Sequence, residues 1–171
     1  IISKNCDFNV DIFSLDIDSI DYWIIDKLKP NISKILVAEY NSVFGSELEV
    51  TVPNLDNFDR KKYHYSHLCY GMSLKALINI MIKKNYYFIG TNNLRNNAFF
   101  ISNDFPISKY FKKLEIEKLN YHVDSNLRES RDSMGNLNYL SGEKRLKEIH
   151  DCEVIDISTD INKKVKIKDI V

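Results

Sequence analysis

Acidic and amide side chains stand at the ends of two apolar runs of strand length. They are Asp16, Asp18 and Asp21 after the first run, and Glu39 and Asn41 after the second. Carboxylates that converge on one pocket repel one another, which raises some of their pKa values unless a cation or hydrogen-bond donors offset the repulsion. Such a group suits a hard metal ion, a general base or a donor-rich ligand such as a sugar. For Asp18 and Asp21 there is also a structural interpretation, because either could cap the helix that follows.

The two runs are predicted to be neighbouring parallel strands joined by a helix. Residues 10–17 read VDIFSLDI and residues 34–40 read KILVAEY. Between them, the apolar residues at 22–28 recur at helical spacing, and Pro30 ends that helix. A strand, helix and strand of these lengths form a βαβ unit with parallel strands, buried on both faces. Ligands of open parallel sheets bind at the carboxyl ends of strands that lie about 5 Å apart, so the acidic ends should face one pocket.

The middle of the chain predicts a connection, a helix and a hairpin. Residues 41–70 are rich in aromatic residues and histidine and lack periodicity, and a connection of this length is usually functional or carries short elements of its own. Residues 73–84 predict an amphipathic helix with Ser73 as its N-cap. Residues 86–90 and 98–102 predict an antiparallel hairpin at a sheet edge. The expected fold is therefore α/β, with a mixed sheet.

We expect one domain made of two segments. With 171 residues, of which 44% are hydrophobic, the chain can bury one core. Residues 1–104 hold the predicted sheet. Residues 105–171 are more charged and are predicted to be a C-terminal α/β extension packed on it, with a helix at 143–149 and a strand at 152–157.

Charge and cysteine content limit the partners. Twenty-four basic residues balance twenty-four acidic ones, so no summed field attracts nucleic acid or an anionic membrane, and we expect neither as a partner. No apolar run approaches the roughly 18 to 20 residues of a membrane span. Cys6, Cys69 and Cys152 are far apart and odd in number, which argues against a disulfide framework and favours a cytoplasmic location.

Three weaker features have two interpretations each. His64 and His67 could be metal ligands, although their spacing on an unassigned loop fits surface or substrate contacts better. Residues 70–73 could offer backbone amides to an anion, but a single glycine favours a simple helix entry. Asn97 could reach a ligand or serve the preceding turn. The sequence contains no GxSxG, P-loop or HExxH motif.

The segment VDIFSLDIDSIDYW followed by ILVAEYNSVFG resembles the second half of class I S-adenosylmethionine-dependent methyltransferases, in particular the FkbM-like family. LCYGMSLKALINIMIKKNYYFIGTNNLRNNAFFISND resembles the last crossover helix and final antiparallel hairpin of that family, so the resemblance covers residues 10–104. RESRDSMGNLNYLSGEKRL resembles a C-terminal extension of some relatives. The resemblance implies part of a Rossmann-like sheet, in which residues 11–17 form the fourth strand of seven.

The resemblance also implies transfer of a methyl group from S-adenosylmethionine to an oxygen of a small metabolite or glycan. The catalytic candidates are Asp16, Asp18, Glu39 and Asn41. The candidate substrate contacts are Asp21, Tyr40, His67, Tyr70 and Asn97. Metal-dependent relatives place an aspartate after the fourth strand and an acid and an asparagine after the next, so any divalent metal is expected on Asp16, Glu39 and Asn41.

The chain departs from the resembled pattern in two places. Residues 18–21 read DSID where FkbM-like sequences have an acid-Gly-x-acid turn, so a backbone conformation that glycine permits should be altered. The Gly-rich loop and the acid that hold the methionine and ribose of the cofactor are absent, and they would lie upstream of Ile1. We therefore expect a C-terminal half with an exposed sheet edge that is inactive alone and is either marginally stable or paired with another chain, for example as a homo-oligomer.

Two other functions fit the same residues. The first is a non-catalytic, methyltransferase-like module that binds a sugar or a protein partner through the aromatic connection, because a fold does not determine a function. The second is a metal-dependent hydrolase built on the side chains of Asp16, Asp18, His64 and His67.

Overall fold

The computed structural model describes residues 10–106, 108–114, 129–159 and 161–171, and it is a mixed α/β fold with two sheets. The strands are β1 (Val10–Leu15), β2 (Ser33–Glu39), β3 (Val50–Thr51), β4 (Tyr86–Thr91), β5 (Asn97–Ser102), β6 (Glu153–Asp156) and β7 (Lys163–Lys166). The α-helices are α1 (Asp21–Lys27), α2 (Arg60–Tyr63), α3 (Leu74–Lys83) and α4 (Glu143–Glu148), with 3₁₀ turns at Ser42–Phe44, Ser108–Tyr110 and Ile167–Asp169. Ile1, Cys6 and parts of the predicted extension at 105–171 lie outside the described residues.

The larger sheet has four strands in the order β1-β2-β5-β4. β1 and β2 are parallel, with Phe13 opposite Leu36, which confirms the predicted strand-helix-strand unit. β5 runs antiparallel to both β2 and β4, which confirms the hairpin. Of the two hairpin strands, only β4 is at an edge of the sheet, because β5 lies between β2 and β4. As a result, β2 and β4 point in the same direction without being paired.

Helices α1 and α3 form one core with this sheet. Ser73 is the N-cap of α3, as predicted, and its hydroxyl accepts a hydrogen bond from Ala76 N at 3.2 Å. The helix then buries one apolar face, which includes Leu77, against the sheet residues Leu36 and Phe100. Truncating a leucine as buried as Leu77 to alanine costs about 2 to 5 kcal/mol. The packing of this face therefore holds the sheet in place beneath the loops at its carboxyl end.

Strand β1 is less buried than the sequence suggests. Val10 is 37% exposed and Ile12 is 61% exposed, although an apolar strand of a parallel pair was expected to be buried on both faces. Within the described residues β1 pairs only with β2 and forms the second edge of the sheet. Val10, Ile12 and Ser14 alternate along this edge strand, so they share the one face of β1 that the described residues leave exposed.

The smaller sheet joins the aperiodic connection to the C-terminal segment. Its order is β3-β6-β7, with both pairs antiparallel, so a strand from residues 41–70 pairs with one from residues 152–157. A second core lies against this sheet and includes Val50, Leu68 and Val154. The connection is therefore a packed part of the fold, and the two predicted segments share one sheet and one core.

Among the residues that the structure describes, no helix combines the length and apolar character that crossing a membrane requires.

Candidate functional site

Three carboxylates meet at the carboxyl ends of β1 and β2. Oxygen atoms of Asp16, Asp18 and Glu39 all lie within 4.8 Å of one another. The parallel pairing causes this, because Leu15 lies opposite Ala38, so that Asp16 and Glu39 follow side by side where the two strands end. Glu39 is buried at 4% exposure, whereas Asp16 is exposed. The group therefore combines one buried and one accessible acid.

Arg60 supplies a positive charge to this cluster. Its Nη1 donates a hydrogen bond to Oδ1 of Asp18 at 2.8 Å, and its Cζ lies 5.1 Å from the centroid of the Tyr70 ring. The short helix α2 carries Arg60, and Asp59 caps that helix by accepting from Lys61 N at 2.9 Å. Arg60 was not among the residues predicted from the sequence. The available signal was an arginine in the long connection after the two acidic strand ends, because a cluster of acids needs a cation to offset it.

The turn after β1 is shaped by Asp18 and Asp21. Asp18 has a φ of 54°, a left-handed conformation that aspartate tolerates better than most side chains. The carboxylate of Asp21 accepts from Ile17 N at 3.1 Å and from Ser19 N at 3.0 Å. Neither acid caps α1, whose N-cap is Ile20 with no side-chain bond. The left-handed residue is Asp18 and not Ser19, the position where the resembled family has glycine.

Burial raises the pKa of the Asp21 carboxyl above its usual range, and the negative charge of Asp16 adds to the effect. The two backbone N–H donors act in the opposite direction and lower this pKa. Asp21 is 1% exposed, so its bonds hold the turn that presents Asp16 and Asp18. It lies beneath the site and does not line its surface.

The amide of Asn41 binds backbone groups of the connection. Its Nδ2 donates to the carbonyl oxygens of Leu68 at 2.7 Å and Tyr70 at 3.0 Å, and its Oδ1 accepts from Val43 N at 3.1 Å. The residue is 1% exposed. The structure thus gives Asn41 a structural position, and Asp18 is the third side chain grouped with Asp16 and Glu39.

Two predicted substrate contacts, Tyr40 and Tyr70, are interior residues, each 1% exposed. Burial raises the pKa of the Tyr40 hydroxyl, while its hydrogen bond with the Thr91 side chain lowers it. Burial also raises the pKa of Tyr70, and the charge of Asp18 adds to this effect, whereas Arg60 and the buried Arg145 oppose it. Tyr70 therefore lies under the ion pair of the site and supports it from below.

The remaining candidates lie around the cluster. His67 is partly exposed with a φ of 61°, and its pKa is lowered by burial and by the charges of Arg131 and Arg60. His64 Nδ1 is 2.7 Å from the Ser66 hydroxyl, and neither histidine belongs to the carboxylate cluster. Asn97 begins β5 directly opposite Glu39, and its backbone N–H donates to Asn92 Oδ1 at 3.2 Å. Asn97 is thus placed beside the site and also in the turn.

The donor set allows two kinds of ligand. Three carboxylates within 4.8 Å offer the oxygen atoms that a hard divalent cation prefers. One of them, Asp18, already binds the guanidinium of Arg60, so a fixed cation offsets part of the charge. The exposed oxygen atoms of Asp16 suit a ligand that donates hydrogen bonds, such as an alcohol or a sugar hydroxyl.

The chain matches no protein-family model, no curated protein and no solved structure. Its function has to be inferred from the geometry of this site and from the resemblance of its sequence.

Proposed function

We propose that this chain forms the acceptor-binding half of an S-adenosylmethionine-dependent methyltransferase, which methylates an oxygen of a small metabolite or glycan. The observation that carries the proposal is the convergence of Asp16, Asp18 and Glu39 at the carboxyl ends of two parallel strands. Ligands of open α/β sheets bind at such an edge. The order of elements also supports it, since a crossover helix and an antiparallel hairpin follow the parallel pair, as the resemblance implies.

In this proposal each acid has a separate task. Asp16, which is exposed, orients the acceptor hydroxyl and takes its proton as the methyl group is transferred. Asp18, which Arg60 holds in place, accepts a hydrogen bond from a second donor of the substrate. Glu39 is the buried acid of the group and holds negative charge behind the other two. Methyl transfer depends mainly on holding two reactants in line, so positioning by this rigid edge is the main contribution of these residues.

The residues present fit only part of the cofactor site. Among the residues that the structure describes, no strand leads into a glycine-rich loop, so in this proposal S-adenosylmethionine, which supplies the methyl group, is held mostly by residues N-terminal to this chain. A divalent cation on Asp16, Asp18 and Glu39 is a secondary element of the proposal. It would lower the pKa of a bound hydroxyl and so assist its deprotonation.

Isothermal titration tests the proposal. S-adenosylmethionine and S-adenosylhomocysteine are titrated into the product of the whole gene and, separately, into this 171-residue chain. We expect binding to the longer protein and much weaker or no binding to the chain alone. Binding to neither protein would refute the methyltransferase proposal. Equal binding to both proteins would be consistent with a methyltransferase but would refute the placement of the cofactor on an N-terminal segment.

A sugar-binding module without catalysis is the second candidate. The observation that favours it is the part-exposed pair of Asp18 and Arg60, at 40% and 27% side-chain exposure, beside the exposed Asp16. Such a surface offers both hydrogen-bond acceptors and donors to a ring of hydroxyl groups. This function predicts that mono- and oligosaccharides bind, that the Asp16→Asn variant loses that binding, and that neither cofactor compound binds to either protein.

A further inference from the structure

Two cysteines that are distant in the sequence lie side by side in the second core. Cys69 belongs to the connection and Cys152 to the turn between α4 and β6, and both side chains pack in that core, where the Cys152 thiol is near enough to raise the pKa of Cys69. Both are free thiols, at 0% and 6% exposure. They share their core with Leu68 and Val154. The spacing of the cysteines argued against a disulfide framework, but the fold places these two in the same core.

We propose that Cys69 and Cys152 are a redox-active pair, which forms a reversible disulfide by exchange with a small-molecule disulfide such as oxidised glutathione. In the first step the Cys152 thiolate attacks one sulfur of the oxidant and releases one glutathione thiolate. In the second step, the Cys69 thiolate attacks the Cys152 sulfur of the mixed disulfide and releases the second glutathione thiolate. One protein disulfide and two glutathione thiols replace two protein thiols and one small disulfide, so atoms and electrons balance.

The surroundings of the two sulfurs set the order of these steps. Cys152 is the only one of the pair with measurable exposure, so it meets the oxidant first. The pKa of Cys69 is raised by its interaction with the Cys152 thiol and by burial, which disfavours its thiolate and makes it the second of the two to react. Oxidation of the folded protein should therefore be slow and should depend on brief opening of the segment around Cys152.

The disulfide would tie the wall of the acidic site to the smaller sheet. The neighbours of Cys69 in sequence are Leu68 and Tyr70, and both of their carbonyl oxygens bind the Asn41 amide. The Tyr70 ring lies beneath Arg60. A cross-link at Cys69 would thus restrict the segment that positions Arg60 against Asp18, and the oxidised protein would have the more rigid site. This inference does not rest on the proposed methyltransferase function.

The test uses the full 171-residue chain with Cys6→Ser, so that Cys69 and Cys152 are its only cysteines. The folded protein is equilibrated in buffers with increasing ratios of oxidised to reduced glutathione and analysed by thiol titration and intact mass. We expect both thiols to disappear together with no glutathione retained, and proteolysis to give one peptide linking Cys69 to Cys152. The equilibrium constant for the disulfide should exceed that of the urea-unfolded chain by at least about tenfold, because the fold holds the thiols together.

Three results would overturn the proposal. They are a stable glutathione adduct on Cys152, a disulfide between two copies of the chain, and an equilibrium constant no larger in the folded than in the unfolded protein. The matched control is Cys6→Ser with Cys69→Ala, which should keep one glutathione on Cys152 because no second thiol resolves it. If this control does not fold, the comparison of folded and unfolded Cys6→Ser protein still decides the question.

Discussion

The two ends of the larger sheet use polar residues in opposite ways. At the amino end of β2, the Tyr86 hydroxyl accepts from Ser33 N at 2.9 Å and donates to Ser33 O at 2.7 Å. Close by, Lys84 Nζ donates hydrogen bonds to two carbonyl oxygens at the C-terminal end of α1. They belong to Asp26 and to the C-cap residue Leu28, each at 2.7 Å. At the carboxyl end, three carboxylates crowd within 4.8 Å and Asp18 holds a left-handed conformation.

The difference separates an end whose polar groups are paired, which we call the stabilising end, from an end where like charges crowd together. Buried polar groups at the amino end satisfy one another, and such bonds add to the stability of the fold. Like charges at the carboxyl end repel, which lowers stability unless a cation or ligand offsets them. Proteins usually accept such a local conflict where a site requires it. The comparison predicts that polar substitutions cost stability at the amino end and little among the carboxylates at the other.

Asn41 is the residue that tests this division most strongly, since it lies at the carboxyl end but binds only backbone groups in the contacts described above. We expect Asn41→Ala to lower the free energy of unfolding by about 3 kcal/mol, because it leaves the carbonyl groups of Leu68 and Tyr70 and the amide of Val43 without this partner. Urea unfolding measures the effect. Asn54→Ala, at an exposed position, is the control and should change stability by less than about 0.5 kcal/mol. A loss of stability below about 1 kcal/mol for Asn41→Ala would contradict the structural assignment. The Asn41 amide would then again be a candidate for binding a ligand.

Tyr86→Phe is the corresponding test at the amino end. The hydroxyl is buried and binds the backbone N–H, the carbonyl and the hydroxyl of Ser33, so its removal should cost about 2 kcal/mol. The control is Tyr110→Phe, because Tyr110 is 76% exposed. Thermal and urea unfolding of both variants give the comparison. If Tyr86→Phe were as stable as the control, the amino end would not be the stabilising end.

Much of the larger sheet could be predicted from the sequence. The spacing of the apolar residues predicted six elements whose ends lie within two residues of those observed. These are β1, α1, β2, α3, β4 and β5. The Ser73 cap was predicted because serine ahead of an amphipathic run is a local signal. These elements are determined by neighbours close in sequence, so pattern alone was sufficient for them.

The rest depends on contacts between distant parts of the chain. β3 has two residues and exists because β6, about a hundred positions later, pairs with it. Cys69 and Cys152 share the second core, which their separation in the sequence concealed. Arg60 was missed because its role follows from facing Asp18 across the connection. The convergence of the acids was predictable because the carboxyl ends of parallel strands lie at one edge of a sheet. The burial of Asn41 was not predictable, because no periodic pattern in the sequence indicates it.

The ion pair of Arg60 and Asp18 offers the finest test of the carboxyl end. Both side chains are partly exposed, so a double-mutant cycle of Arg60→Met and Asp18→Asn should give a coupling energy of only about 0.5 to 1 kcal/mol. This energy should fall in high salt, because screening weakens an exposed pair. Urea unfolding of the two single variants and the double variant measures it.

The single variants should differ from each other if the carboxylates are a strained cluster. Arg60→Met leaves Asp16, Asp18 and Glu39 without the guanidinium and also removes the contact with the Tyr70 ring. Asp18→Asn breaks the same pair but relieves repulsion among the acids at the same time. Arg60→Met should therefore cost more stability than Asp18→Asn. Equal costs would mean that the three acids do not repel measurably, and the carboxyl end would then be as relaxed as the amino end.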